Sequence, residues 1–443
     1  MSNFKSLPQI HHGIINVGDL PIPFDIVLNA AVLVVVLTFV FLKVSWKESI
    51  LTSEESLFST RQSFAGKTFG FLILLLLIVP GLINNESAKT SITPLILWIF
   101  LWIAVPVLGL IFGDLYAKFN PLAILVNREG VSQNVYFASF LFLCLTWFEL
   151  VWNKPGNPRH IGIVFLTLLA VISLLQRFYK KTIIEVDPLL LLHHLYSKMR
   201  VTNKSPMFKT LLNNISNLAQ LKGMEYFILL MIGTVTYDGL RETTFWFDLF
   251  GSQTYETFFS TVAFIMMNLL IIIFYRFACY FAIRVSGEDF DLNEISLKFG
   301  HTMLPIAFAY HVTHYLSLLL FEFQTILYRL NDPLGFGWNL FNIQEPEVNY
   351  FLEPIALWTI MVIVTLAGHM LSVVLAHDLS VKLFGHQKSD KTQYIFVFTF
   401  VFVDVLVLVD TFVFVEVFVL LAILLVGILW QDIQKAKSLR LIY

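Results

Sequence analysis

Charge is scarce in this chain. Of its 443 residues only 14% are Asp, Glu, Lys or Arg, where an ordinary soluble domain carries about a quarter. With 57% hydrophobic residues, that scarcity argues against a water-soluble globular domain and for an integral membrane protein. The formal net charge of -2 supplies no basic field, and no basic stripe interleaved with aromatics is present, so nucleic acid is not an expected partner. Cysteine is nearly absent. Cys144 and Cys279 both fall in apolar stretches, which argues against a disulfide framework and a thiolate metal site and leaves the redox compartment open. No basic region precedes the first apolar run, which starts after Pro21-Ile22-Pro23, so no cleavable signal is expected. A phosphate-cradling Gly-rich loop, a His-Glu-x-x-His pair and a Gly-x-Ser-x-Gly elbow are also missing.

What the chain does have is a succession of apolar runs. A bilayer core of about 30 Å needs roughly 20 apolar residues as helix. Runs that meet or approach this length lie near Phe24 to Leu42, Thr68 to Ile83, Ile92 to Phe112, Asn134 to Trp152 and Ile161 to Leu175. Others lie near Met224 to Thr236, Phe258 to Ile283, Phe299 to Phe321 and Pro354 to His377, with one or two more between Tyr394 and Trp430. The expected fold is all-α, a polytopic transmembrane bundle of about ten or eleven spans forming a single membrane domain.

Lys and Arg gather in alternate connections. One holds Lys43, Lys47, Arg61 and Lys67, the next Lys118 and Arg128, and a third Lys180, Lys181, Lys198, Arg200, Lys204, Lys209 and Lys222. The positive-inside rule makes those sides cytoplasmic and places the amino terminus outside a cell membrane. Within the connection from Lys180 to Gly223, Met207, Leu211, Leu212, Ile215, Leu218 and Leu221 recur at helical spacing. That pattern is either an interfacial amphipathic helix or one packed on the ends of the spans. His193 and His194, in the same connection, are expected at the surface or in packing. The run from Val401 to Val417 alternates valine and carries Asp404, Asp410 and Glu416 every sixth residue. On a helix that step turns about 600°, so a single span could not hide all three acids.

The candidate chemistry lies inside the membrane. Intramembrane ionisable residues are costly and default to functional roles. In the run Tyr310-His311-Val312-Thr313-His314-Tyr315 two imidazoles stand one turn apart. At a rise of about 1.5 Å per residue His311 and His314 sit roughly 18 to 22 Å above the cytoplasmic boundary, with Glu149 and Asp238 at about 22 and 21 Å. Two imidazoles and two carboxylates from three helices suit a divalent metal ion (zinc, manganese or iron), with Glu149 and Asp238 as carboxylate partners able to serve in catalysis. The plain alternative is that each histidine bonds a carbonyl or tyrosine on a neighbouring helix. Lower down, His301, His369 and His377 form a second candidate metal set or haem axial ligands. For His377-Asp378 a helix-end pair at the lipid interface is the preferred expectation, and for His369 packing against a neighbouring helix. His11-His12 and the turn Asn331-Asp332-Pro333-Leu334-Gly335 would lie outside, as a tail and a structural loop.

Taken in order, His12-Gly13 with Asp19-Leu20-Pro21-Ile22-Pro23, Gly113-Asp114 with Asn120-Pro121, the run from Tyr310 to Leu319, Asn331-Asp332-Pro333-Leu334-Gly335 and Ala376-His377-Asp378 resemble the multi-pass bacterial membrane proteins labelled fenitrothion hydrolases. The resemblance runs to about Asp378. It implies hydrolysis of an organophosphate or related ester by a membrane-bound enzyme, and brings no catalytic residues with it. Three expectations follow: a metal-dependent membrane hydrolase acting on a small molecule delivered from lipid or the outer face; a haem- or copper-binding membrane protein; and a proton- or ion-coupled transporter.

Overall fold

The structure, a computed structural model, describes residues 24–49, 51, 62–83, 90–125, 130–200, 207–241, 246, 256–386, 388–389 and 392. The tail bearing His11 and His12 and the valine-alternating run lie outside the described residues. Among the described residues the chain is helical, with no strand beyond an isolated bridge between Asn134 and Lys222.

Among the described residues fifteen α-helices and one π-helical stretch set the architecture: α1 Phe24–Ser45, α2 Phe64–Leu82, the π-helical stretch Leu95–Ala104 running into α3 Val105–Phe112, α4 Tyr116–Phe119, α5 Tyr136–Leu150, α6 Pro158–Phe178, α7 Ile183–Val186, α8 Pro188–Ser197, α9 Met207–Ser216, α10 Met224–Arg241, α11 Glu256–Ser286, α12 Leu292–Gly300, α13 Leu304–Phe321, α14 Ile326–Arg329 and α15 Pro354–Phe384. Their ends follow local chemistry. Ser63 accepts from the Gly66 N–H to open α2, Asn157 precedes Pro158 at the start of α6, and Asp187 accepts from the Leu189 and Leu190 N–H groups to open α8. Gly113, with φ 77°, takes the chain out of α3 in a conformation that side chains with a Cβ disfavour.

Among the described residues six helices are long and apolar enough to cross a membrane: Phe64–Leu82, Leu95–Phe112, Pro158–Phe178, Glu256–Ser286, Leu292–Arg329 and Pro354–Phe384. The protein is therefore membrane-embedded. The larger number expected from the sequence is not reached among the described residues, for identifiable reasons. α5 has only 15 residues, and α10 carries Glu225, Asp238 and Arg241 within its 18. The last expected spans fall outside the described region.

α10 is the hub, buried almost without interruption from Met224 to Asp238, and it packs against α5, α11, α12 and α13. α13 lies along α15, α2 along α6, and α1 along α15. Close approach is bought by small residues: a Cβ on Gly368 would stand 2.5 Å from the Ala309 Cβ and 2.7 Å from the Pro305 carbonyl oxygen, so α13 and α15 meet backbone to backbone there. In α9 the apolar positions Leu212 and Ile215 are fully buried, and that helix touches α15 and the turn at His301–Met303. α8 is buried along its whole length to Tyr196, between α3, α4, α5, α7 and α13.

Candidate functional site

The site is built where α5, α10, α13 and the π-helical stretch meet. α13 presents His311, His314 and Tyr315 from one side, as residues three and four apart must. Each reaches a different element. The Tyr315 hydroxyl donates to Glu149 Oε1 on α5 at 2.6 Å. His314 Nε2 lies 2.5 Å from Asp238 Oδ2 on α10, with the carboxylate only 4% exposed. The His311 Nε2–H donates to the Trp102 carbonyl at 2.8 Å.

Aromatic rings lock these groups in place. His311 contacts Trp102, Tyr196 and Tyr315 with ring centroids 5.6, 5.6 and 5.0 Å away, and His314 meets Tyr315 edge to face at 4.7 Å. At the ends of the carboxylate helices Arg241 donates to the Leu150 carbonyl, tying α10 to α5 beside Glu149. Glu149 Oε2 is buried and accepts no hydrogen bond from the protein.

The four residues expected at one level are thus near one another but differently engaged. Among the described residues no group of three or more His, Cys, Asp or Glu side chains is placed to hold a metal ion. His311 Nε2 is engaged by the Trp102 carbonyl and Glu149 Oε1 by the Tyr315 hydroxyl, while His314 and Asp238 meet directly. His369 stands 2.8 Å from the Thr365 carbonyl through Nδ1 and 3.3 Å from the Tyr310 hydroxyl through Nε2. His301 is buried in the turn before α13.

His377 and Asp378 correct an expectation. They are not a helix-end pair at the lipid interface, since α15 continues to Phe384 and both are buried. His377 Nε2 binds the Trp46 carbonyl at 2.9 Å, and Asp378 accepts from Trp46 Nε1 at 2.9 Å and Ser49 Oγ at 2.8 Å. Together they fasten the end of α1 to α15.

The π-helical stretch contributes a feature that sequence reading missed. Its neighbouring carbonyls, Leu101 and Trp102, accept from two histidines of distant segments: His193 Nε2 reaches Leu101 at 2.8 Å, as His311 reaches Trp102. His193 also lies 2.6 Å from the Leu189 carbonyl through Nδ1 and stacks on Tyr116 at 4.4 Å. Its neighbour His194 places Nδ1 3.2 Å from Asp114 Oδ2. Burial lowers the pKa of both imidazoles below the ordinary histidine value. Tyr315 and Trp102 carried no signal beyond adjacency to His314 and aromatic composition.

Fold and site together define a polytopic helical membrane protein with paired carboxylates, imidazole and phenol in its interior. Compared with known proteins, the chain matches no family model, no curated protein and no solved structure.

Proposed function

We propose that this is a proton-handling membrane protein, in which Glu149, Asp238, His314 and Tyr315 take up and release a proton inside the bundle in the course of coupled transport. One observation carries this reading: two buried carboxylates are each joined to a proton-bearing partner, Glu149 to Tyr315 and Asp238 to His314. An ionised carboxylate in an apolar interior costs several kcal/mol, so a buried carboxyl favours taking up a proton when the cluster is closed to water. Glu149 Oε2, the oxygen without a protein partner, is the place for it. Proton gain and loss at one carboxylate is what couples a conformational cycle to a proton gradient.

A second reading keeps the same residues. His314 held against Asp238 has the composition of a general base that draws a proton from water, with Tyr315 positioned by Glu149 as the acid. This is the form in which the hydrolysis of organophosphate or related esters, implied by the resemblance, fits the contacts of these residues. The protein reconstituted in vesicles with an entrapped pH dye, under an imposed membrane potential, separates these readings. Proton uptake above that of protein-free vesicles, lost in Glu149→Gln and Asp238→Asn, is expected. Uptake equal to protein-free vesicles, together with ester cleavage that depends on His314, would replace transport with hydrolysis.

A further inference from the structure

The connection from α14 to α15, residues 330–353, carries large apolar side chains outward: Phe336, Trp338, Leu340, Phe341, Tyr350 and Phe351 are all exposed, Phe341 by 61%. It is nevertheless a formed loop, because the polar side chains at its base hold its own backbone. Buried Asn331 accepts from the Phe341 and Ile343 N–H groups at 3.1 and 3.3 Å and donates to the Ile343 carbonyl. Asp332 accepts from the Phe336 and Gly337 N–H groups at 2.8 and 2.7 Å. We infer that this loop docks into the headgroup region of the bilayer, on the side where α13 ends and α15 begins.

Its position follows from where charge stops on the flanking helices, both of which lie in apolar segments able to cross a membrane. From Pro354 to Ala376 α15 has no Asp, Glu, Lys or Arg, about 34 Å of helix against a hydrocarbon core of about 30 Å, so Glu353 marks the boundary with water. α13 is free of such charges from Leu304 to Phe321 and meets its first at Glu322. Those two boundaries are one. Tyr350 and Phe351 set their rings 5.0 and 5.7 Å from that of Phe321, and Gln324 exchanges two 3.0 Å hydrogen bonds with the backbone of Asn349. Both ends of the loop are therefore held at the same edge of the membrane.

Continuity and composition then choose lipid as the occupant. Leu327 on α14 and Ile355, Ile360 and Ile363 on α15 are exposed as well, so the apolar surface of the spans runs on into the loop. From Pro333 to Gln344 there is no charged residue, and Trp338 stands among amides, a mixture suited to the zone between water and acyl chains. The acids Glu345, Glu347 and Glu353 follow on the returning strand of chain, where water can reach them. A non-helical backbone cannot go deeper, since hydrocarbon offers no partners for its N–H and C=O groups. Docking would fix the height of α13, which carries His314 and Tyr315, because the loop is clasped to its end through Gln324 and Asn349.

Spin labelling of the full chain in phosphatidylcholine vesicles tests this, with Cys144→Ala removing the exposed native thiol. A nitroxide is placed in turn at Phe336→Cys, Phe341→Cys and Glu347→Cys, three exposed positions where a label displaces no buried side chain. Its collisions with oxygen, which concentrates in lipid, are compared with those of a water-soluble nickel chelate. The oxygen-to-nickel ratio at positions 336 and 341 is expected to exceed that at 347 severalfold. Equal ratios at all three overturn the docking. Labels at 336 and 341 shielded from both reagents overturn it too: with spin–spin broadening they place a second copy of the chain on the loop, and without it another segment of the same chain.

Discussion

Replacing Gly368 by alanine tests the backbone contact on which the α13–α15 pairing rests. The added Cβ would meet the Ala309 Cβ at 2.5 Å and the Pro305 carbonyl oxygen at 2.7 Å, whereas comfortable separations are about 3.5 to 4.0 Å. Neither neighbour can rotate away, since one is a Cβ and the other backbone, so the two helices must part by about 1 Å. Overpacking of this kind costs about 1–3 kcal/mol, and contact with backbone on the far side puts this site toward the upper end. Against that stands the intrinsic gain of alanine over glycine in a helix, up to about 1 kcal/mol. A net loss of about 1–2 kcal/mol is expected. Gly109 in α3 is the matched control, because a Cβ there meets nothing within 4 Å, and alanine should stabilise by about 0.5–1 kcal/mol. Reversible unfolding of the three proteins in mixed detergent micelles, followed by circular dichroism, measures both. A Gly368→Ala protein as stable as the wild type would refute the close approach of α13 and α15.

Three further outcomes are expected. Tyr315→Phe removes the one protein donor to a buried carboxyl group and should destabilise by about 1–3 kcal/mol, with much of the loss recovered in the Tyr315→Phe, Glu149→Leu double variant; additive losses in that cycle would contradict the pairing. Asp187, buried at the start of α8, has its pKa raised from 3.8 to about 6 by burial, against the hydrogen bonds from Leu190, Asn120 and Leu189. A folded-state pKa above the unfolded one adds stability below pH 4 that is lost as pH rises through 6. The loss is about 3 kcal/mol, at about 1.36 kcal/mol per pKa unit; Asp187→Asn should flatten the stability profile in that window, and an unchanged profile would contradict it. Asp378→Ala strips both partners from Trp46 and Ser49, so α1 should loosen and protease cleavage near Ser49 should quicken, while cleavage elsewhere stays constant.

Much of the helical order was legible because it is written in apolar length and in local caps: Ser63, Asn157-Pro158, Asp187-Pro188 and Gly113 stop and start elements by chemistry within a few residues. That α13 can reach Asp238 and Glu149 was legible in part, because rise per residue puts His314 and the two carboxylates at similar heights, and His314 meets Asp238 as Tyr315 meets Glu149. What depth leaves open is direction around the helix axis. His311, one turn from His314, turns to a backbone carbonyl, and a carbonyl has no sequence signature. The same gap hid the role of His377 and Asp378, whose partners Trp46 and Ser49 lie over three hundred residues away. The π-helical stretch was illegible for a similar reason: Leu95–Ala104 is apolar throughout, so no periodicity marks a widened turn. Gly66 and Gly70, four apart in α2, went unread in the sequence, although a Cβ on either would fall within 2.0 Å of the Lys118 or Phe119 carbonyl oxygen.

The burial of α8 bears on how the molecule is made. Ten residues containing two histidines are too short and too polar to partition into a bilayer alone, where roughly 20 apolar residues are needed. Part of its housing, α13, begins more than a hundred residues later in the chain, so it does not exist when α8 emerges during synthesis. α8 must then wait at the membrane surface and enter late, after the longer helices are already in place. Truncated chains ending before Leu304 should therefore leave the stretch from Leu189 to Tyr196 open to protease, and full-length chains, in which it is buried, should close it off, which makes the sealing of this segment a marker for completed assembly.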